Sequence, residues 1–216
     1  MTDADVTRTK YPDRGAWLEG RQGIGASEIG SVLGVGFKST LQLWEEKCGL
    51  AERQDIGGNE RVRFGNDAEE PLRWMFRLMH PEYNLHFEPY TILRRKGEYE
   101  FLFYTPDGEL YERATGRRGL YESKTATCLS RKDWDKWNGH VPDGYFCQIC
   151  QGMFVGGYDF AEVFAMLLNQ DGDAVLRAYH FERADCEESI RIMLPKAKTF
   201  WHHVETRTMP AQALSL

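Results

Sequence analysis

Apolar residues along the chain fall into two periods, and the period assigns the elements. Leu41, Leu43, Trp44 and Cys48 lie on one side of a helix predicted over residues 39–48, capped by Ser39 or Thr40 and stopped by Gly49. Leu72, Met75, Phe76 and Met79 repeat at helical spacing, which predicts a longer helix opened by Asn66 or Asp67 and ended by Pro81. Extended runs are predicted at 86–95, 100–111 and 119–127, with a turn at Lys96-Gly97. A short helix over 130–137 precedes another from Pro142 to Val155, which Gly156-Gly157 ends. Two strands, 160–168 and 174–181, flank the turn 169–173. A closing helix runs from about Asp185 to Glu205, kinked or split at Pro195.

Before all of these, residues 1–14 read as a loose arm. A short amphipathic piece from Ala16, a glycine-rich turn and a helix start at Ser27 follow, and residues 51–60 read as a polar loop. The order is helices, strands, helix, strands, helix. It predicts one α/β (α+β) domain over residues 1–216, with a central mixed sheet flanked by helices.

Composition narrows the class. Hydrophobic residues make up 42% and aromatic residues 13% of 216, enough for a buried core. No apolar run approaches the ~20 residues of a membrane helix. The polar, acidic start Met1-Thr2-Asp3-Ala4-Asp5 lacks a signal-peptide core, so a cytoplasmic protein is expected. The net charge of −6 argues against a protein that coats DNA through bulk charge. It leaves room for basic residues gathered in one channel. Five scattered cysteines argue against a disulfide framework, and Cys147-Gln148-Ile149-Cys150 has no second pair to complete a zinc site.

Chemistry concentrates around Thr105-Pro106-Asp107-Gly108 and Glu122-Ser123-Lys124. In a strand, Glu122 and Lys124 project from one face and Ser123 from the other. If the two runs pair as a hairpin, two carboxylates and an ammonium share one site. Hard oxygen donors suit Mg²⁺ or Mn²⁺, and a lysine beside them orients or deprotonates a water for phosphodiester hydrolysis. The same pattern occurs on ordinary solvated hairpins, so the rest of the chain has to decide.

Several other positions have two readings. Glu69 and Glu70, in the predicted first turn of the long helix, either complement the helix dipole or supply a third acidic ligand. Gln148 and Gln151 share a helix face with Tyr145, and a glutamine on a buried helix needs a polar partner. Arg21 and Ser27 flank a helix N-terminus, which is either a phosphate seat or a tight capped connector.

Taken in order, four segments resemble the YqaJ-type viral recombinase family. These are lambda exonuclease-like nucleases of the PD-(D/E)xK, or restriction-endonuclease-like, fold. The segments are Trp17-Leu18-Glu19-Gly20-Arg21 through Ser27-Glu28, Gly65-Asn66-Asp67-Ala68-Glu69, Pro106-Asp107-Gly108 with Glu122-Ser123-Lys124, and Tyr145 through Met153. They span residues 17 to 153; beyond 160 only the pattern of strands and a helix corresponds.

The resemblance implies roles for named positions. Asp107, Glu122 and the Ser123 carbonyl would bind Mg²⁺ or Mn²⁺. Lys124 would position the attacking water, and Gln148 would hold that water or Lys124. Glu69 would complete the acidic site directly or through water; Glu70, next to Pro71, is the alternative. Arg21 and Ser27 would bind the DNA 5′-phosphate. The activity implied is 5′→3′ digestion of double-stranded DNA ends, leaving 3′ tails for a single-strand annealing protein. The enzyme would act as a homo-oligomer, a ring as in processive members, for which a trimer is one form, in the bacterial host of a phage or prophage. Two alternatives stand beside it. One is an iron–sulfur nuclease of the same fold recruiting Cys147, Cys150 and two more cysteines. The other is an inactive DNA-binding relative.

Overall fold

The structure, a computed structural model, describes residues 5–52 and 58–210. The middle of the loop expected over 51–60 and the first residues of the expected arm lie outside them.

The rest of that arm is not loose. It forms β1 (Val6–Lys10), antiparallel to β4, and Val6 packs against the core. Then come α1 (Arg14–Gly20) and β2 (Ile24–Gly25). A 3₁₀ turn over Ala26–Glu28 leads into α2 (Ile29–Val32). Ser27 is exposed within that turn and is not the cap. Gly25 holds the cap position, its N–H donating 2.8 Å to the Glu28 carboxylate. The predicted second helix is α3 (Thr40–Lys47), with Ser39 accepting from the Gln42 N–H and Gly49 in the left-handed region at φ 68°.

The long helix starts earlier than predicted. α4 runs Glu60–Met79, capped by Asn59, whose side chain accepts from the Arg61 N–H. Glu60, Arg61 and Arg63 are good helix formers, and the helix continues through Gly65. Gly65 is used for approach rather than termination: a Cβ there would stand 3.3 Å from Thr125 Oγ1. Glu69 and Glu70 therefore sit in mid-helix, which removes the helix-dipole reading for both.

The extended runs divide between two sheets. β3 (Tyr83–His86) begins before the run predicted over 86–95 and meets it only at His86, and the end of that run is β4 (Thr91–Arg95). The run over 100–111 breaks into β5 (Leu102–Tyr104) and β6 (Gly108–Glu112). Pro106, with no N–H for a ladder, lies at that break. After β7 (Arg118–Thr127) come α5 (Arg131–Asp135), α6 (Asp143–Gly156), β8 (Phe160–Leu168), β9 (Ala174–Glu182) and α7 (Arg183–Glu205). Pro195 is accommodated within α7 without splitting it.

The larger sheet is mixed, in order β3-β6-β7-β8-β9, and the smaller is β1-β4-β5-β2. β6 and β7 are antiparallel, whereas β7 and β8 run parallel through the α6 crossover. β7 is covered on both faces. On one face α4 packs Ala68, Leu72 and Phe76 against Tyr121 and Phe164. On the other, α6 packs Ile149 and Met153 into a second core with Leu120, Leu102 and Tyr104. Double coverage gives β7 a nearly continuous buried run. Glu122 and Ser123, placed on that run, are therefore buried, and Lys124 just after it is half-buried.

Candidate active site

β6 and β7 form the hairpin whose pairing the sequence left conditional, with Gly108 opposite Tyr121. Continuing that register by one step sets Asp107 beside Glu122. Asp107 Oδ2 accepts from both the N–H and the Oγ–H of Ser123, each at 3.0 Å. The two donors fix the carboxylate where β5 ends and β6 begins.

Glu122 and Lys124 share the face toward α6. Lys124 Nζ donates to Glu122 Oε1 at 2.6 Å, and Gln148 Nε2 from α6 donates to the same oxygen. Tyr104, fully buried on β5, donates to Oε2 at 3.0 Å. The Tyr145 ring lies 5.0 Å from the Lys124 ammonium and supplies a cation–π contact. Glu122, 2% exposed, is thus held by three donors, one of them the Lys124 ammonium.

Glu69 reaches the same region from α4, near enough for Asp107 and Lys124 to act on its charge; Glu70 is exposed. Arg73, one turn on, lies 3.7 Å from Glu69 and donates 3.4 Å to the Asp107 carbonyl. Its guanidinium covers the Phe87 ring at 3.8 Å.

The electrostatics follow from burial. Desolvation, then the Asp107 charge, push Glu122 up to about 7 against the pull of Lys124 and Tyr104. The same two causes push Glu69 up to about 7, with Arg73 opposing. Burial alone would lower Lys124, but Glu122 and Asp107 outweigh it and hold the ammonium above its ordinary range. Tyr104 rises well above the phenol range, mainly by burial and then by Glu122. The site holds more negative charge than its own cations neutralise.

Hard oxygen donors with excess negative charge fit a small divalent cation. Among the described residues, no three His, Cys, Asp or Glu side chains are arranged to hold a metal by themselves. What this site could offer a cation is two carboxylates, Asp107 and Glu122, with the main-chain carbonyl of Ser123, the residue after Glu122. All five cysteines are free thiols; Cys150 on α6 faces Cys186 on α7.

Arg21 and Ser27 do not touch the carboxylates. They lie on the segment around β2, which pairs in parallel with β5. The Arg21 guanidinium stacks 4.6 Å from the Trp17 ring and 5.7 Å from Phe103. Gln151 ties this segment to the site by donating from one amide to Ile24 O at 2.8 Å and Phe103 O at 3.0 Å. Arg94 braces it from the other side, donating to Gly20 O at 3.0 Å and Gln22 O at 2.5 Å.

Sequence reading missed Tyr104 and Arg73. Arg73 had a signal, its four-residue step from Glu69 on a helix. Tyr104 had none, because its approach to Glu122 depends on how the two sheets meet.

The arrangement of two mixed sheets, flanking helices and an acidic pair beside a lysine is that of the restriction-endonuclease-like fold. Solved structures agree. The alkaline exonuclease LHK-Exo from Laribacter hongkongensis matches with TM-score 0.63 at 16% identity, over 88% of this chain and 92% of that one. Its complex with dAMP matches with TM-score 0.59 at 18% identity, over the same shares. A phage related exonuclease from Haemophilus somnus 129PT matches with TM-score 0.56 at 13% identity, over 86% of this chain and 96% of that one. Within this class, the YqaJ-like viral recombinase domain matches residues 16–159, and the chain belongs to that family. Among curated proteins, none matches the sequence. Among the described residues, no helix is long and apolar enough to cross a membrane.

Proposed function

We propose that the protein is a Mg²⁺-dependent deoxyribonuclease, with Mn²⁺ able to substitute, that hydrolyses phosphodiester bonds from the ends of duplex DNA. The observation that carries this is the convergence of Asp107, Glu122 and Lys124 where β5, β6 and β7 meet. Family membership and the exonuclease fold support it. Digestion runs 5′→3′ and leaves a 3′ tail for a single-strand annealing partner, and copies of the chain assemble as a ring, a trimer being the simplest, around the duplex.

Asp107, Glu122 and the Ser123 carbonyl would hold the cation. When bound, it supplies Lewis-acid stabilisation of the charge that gathers on the phosphate oxygens during hydrolysis. Lys124 works as a cation rather than a base, because its carboxylate neighbours keep it protonated. Its ammonium orients the attacking water and neutralises negative charge as the P–O bond breaks. Gln148 and Tyr104 fix both oxygens of Glu122, so the carboxylate needs no reorganisation during the reaction. Ser123 does the same for Asp107. Glu69 completes the acidic site through water, steadied by Arg73. Arg21 and Ser27 receive the 5′-phosphate of the end being cut.

The test is digestion of linear duplex labelled at its 5′ or its 3′ end, in Mg²⁺, by wild type and Lys124→Ala. The wild type should release 5′-terminal label first, and Lys124→Ala should be slower by about 10²- to 10³-fold, the scale of losing a main electrostatic stabiliser. Equal digestion by the two proteins refutes the assignment.

A further inference from the structure

The most exposed large apolar side chain among the described residues stands beside this site. Phe37 is 90% exposed, in the turn between α2 and α3. A phenylalanine in water contributes nothing to the core, so folding does not account for it. Its position does connect with the chemistry. The Phe37 ring lies 6.1 Å from the Tyr145 ring, tilted by 57°. Tyr145 is the residue whose ring contacts the Lys124 ammonium at 5.0 Å. On its other side Tyr145 meets Trp137 at 5.6 Å, and Trp137 is buried. An aromatic row thus leads from the core, past Lys124, into solvent, and Phe37 is its outer end.

The turn that carries Phe37 is fastened on both sides. Val35 N–H donates 2.8 Å to Gly30 O, and Thr40 Oγ donates 2.8 Å to Ser31 O. Gly36 packs against α2 so closely that a Cβ would stand 2.3 Å from the Ser31 nitrogen. The start of α6 closes the other side: a Cβ on Gly144 would stand 3.1 Å from Val35 O. Lys38, the adjacent cation, is engaged by Glu46 at 2.5 and 2.7 Å. What the turn presents to a ligand is therefore an aromatic side chain on a fastened backbone, beside a cation already paired.

We propose that Phe37 is a stacking platform for a nucleobase of the DNA end whose backbone lies at Lys124. The proposal rests on the nuclease reading of that site. Every base carries a π-face, so stacking holds a strand without selecting sequence, which suits an enzyme that digests whatever follows the end. A phosphodiester at Lys124 brings the bases of its flanking nucleotides alongside Tyr145 and Phe37. The platform would set which nucleotide is held while its bond is cut.

Two measurements test it. In the first, wild type, Phe37→Ala and Phe37→Trp digest duplex ends with either natural bases or an abasic site at successive nucleotides. Phe37→Ala should raise KM about 5- to 150-fold with kcat nearly unchanged, from the usual worth of one base–aromatic stack. Phe37→Trp should behave as wild type. At one nucleotide position, the abasic lesion should impair wild type by that same factor and leave Phe37→Ala unaffected. Wild-type kinetics from Phe37→Ala, or losses that multiply at every position, overturn the platform while leaving the nuclease intact. In the second, 2-aminopurine replaces the base at that position, and duplex binds to Lys124→Ala protein in chelator, so that it is not turned over during the reading. Stacking on Phe37 should quench the fluorescence, and adding Phe37→Ala should restore it. If wild type cuts no DNA, the nuclease reading fails and this fluorescence alone decides the platform: no Phe37-dependent quenching ends it. A change of sedimentation coefficient on Phe37→Ala also ends it, since Phe37 would then be a contact between copies of the chain.

Discussion

Glu122 makes the stability of the metal-free protein depend on pH in an unusual direction. Its carboxyl stands at about 7 in the folded protein against 4.5 when free of its surroundings. Between those values the folded state holds a proton that the unfolded state has released. Folding stability therefore falls as pH rises through that interval, opposite to the behaviour of a salt-bridged carboxylate with a depressed pKa. The loss attributable to Glu122 is about 3 kcal/mol, complete by about pH 8. In a chain of this length, that is a fall in melting temperature of about 6–12 °C.

The assay is thermal unfolding in chelator across pH 4.5 to 8, on wild type and Glu122→Gln. The variant lacks the titrating group, so the difference between the two curves isolates Glu122. Relative to Glu122→Gln, wild type should lose stability steadily across the interval. Adding Mg²⁺ or Mn²⁺ at pH 8 should restore wild type, by about 2.7 kcal/mol at a hundredfold excess over the dissociation constant, and leave the variant nearly unmoved. A flat difference between the curves, or equal metal stabilisation of both proteins, would refute the account of Glu122 as a buried, undercompensated metal ligand.

Three further outcomes are expected. Tyr104→Phe deletes the donor to Glu122 Oε2 in a buried setting and should cost about 1–3 kcal/mol in urea unfolding at pH 8; an unchanged midpoint would contradict the hydrogen bond's role. Gln151→Leu removes both ties from α6 to the β2–β5 pair and should cost about 1–3 kcal/mol, read from the same denaturation curves. Arg21→Ala should slow digestion of 5′-phosphorylated ends by roughly tenfold or more while leaving 5′-hydroxyl ends almost unaffected, as expected for loss of one charge-assisted contact. Equal slowing on both kinds of end would remove Arg21 from phosphate binding.

Much of this protein was readable locally. Glu122 and Lys124 share a face because a strand repeats every two residues, and the structure joins them at 2.6 Å. Ser39, Ser130 and Gly157 mark helix ends through contacts within a few residues of themselves. The apolar period of Leu72 and Phe76 was enough to bury them. What failed was whatever depended on a distant partner. Residues 6–10 look like an arm until β4 is there to pair with them. The run over 100–111 looks like one strand, yet its halves join different sheets. Gly65 reads as a helix boundary but is a point of close approach to Thr125.

The site divides the same way. Its acidic and basic side chains were visible as a pattern, but Tyr104 and Arg73 enter from β5 and α4 only when both faces of β7 are covered. Secondary structure responds to neighbours a turn or two away. Strand partnership, burial and the resulting rise of Glu69 and Glu122 are set by chain segments tens of residues apart, and packing alone brings those together.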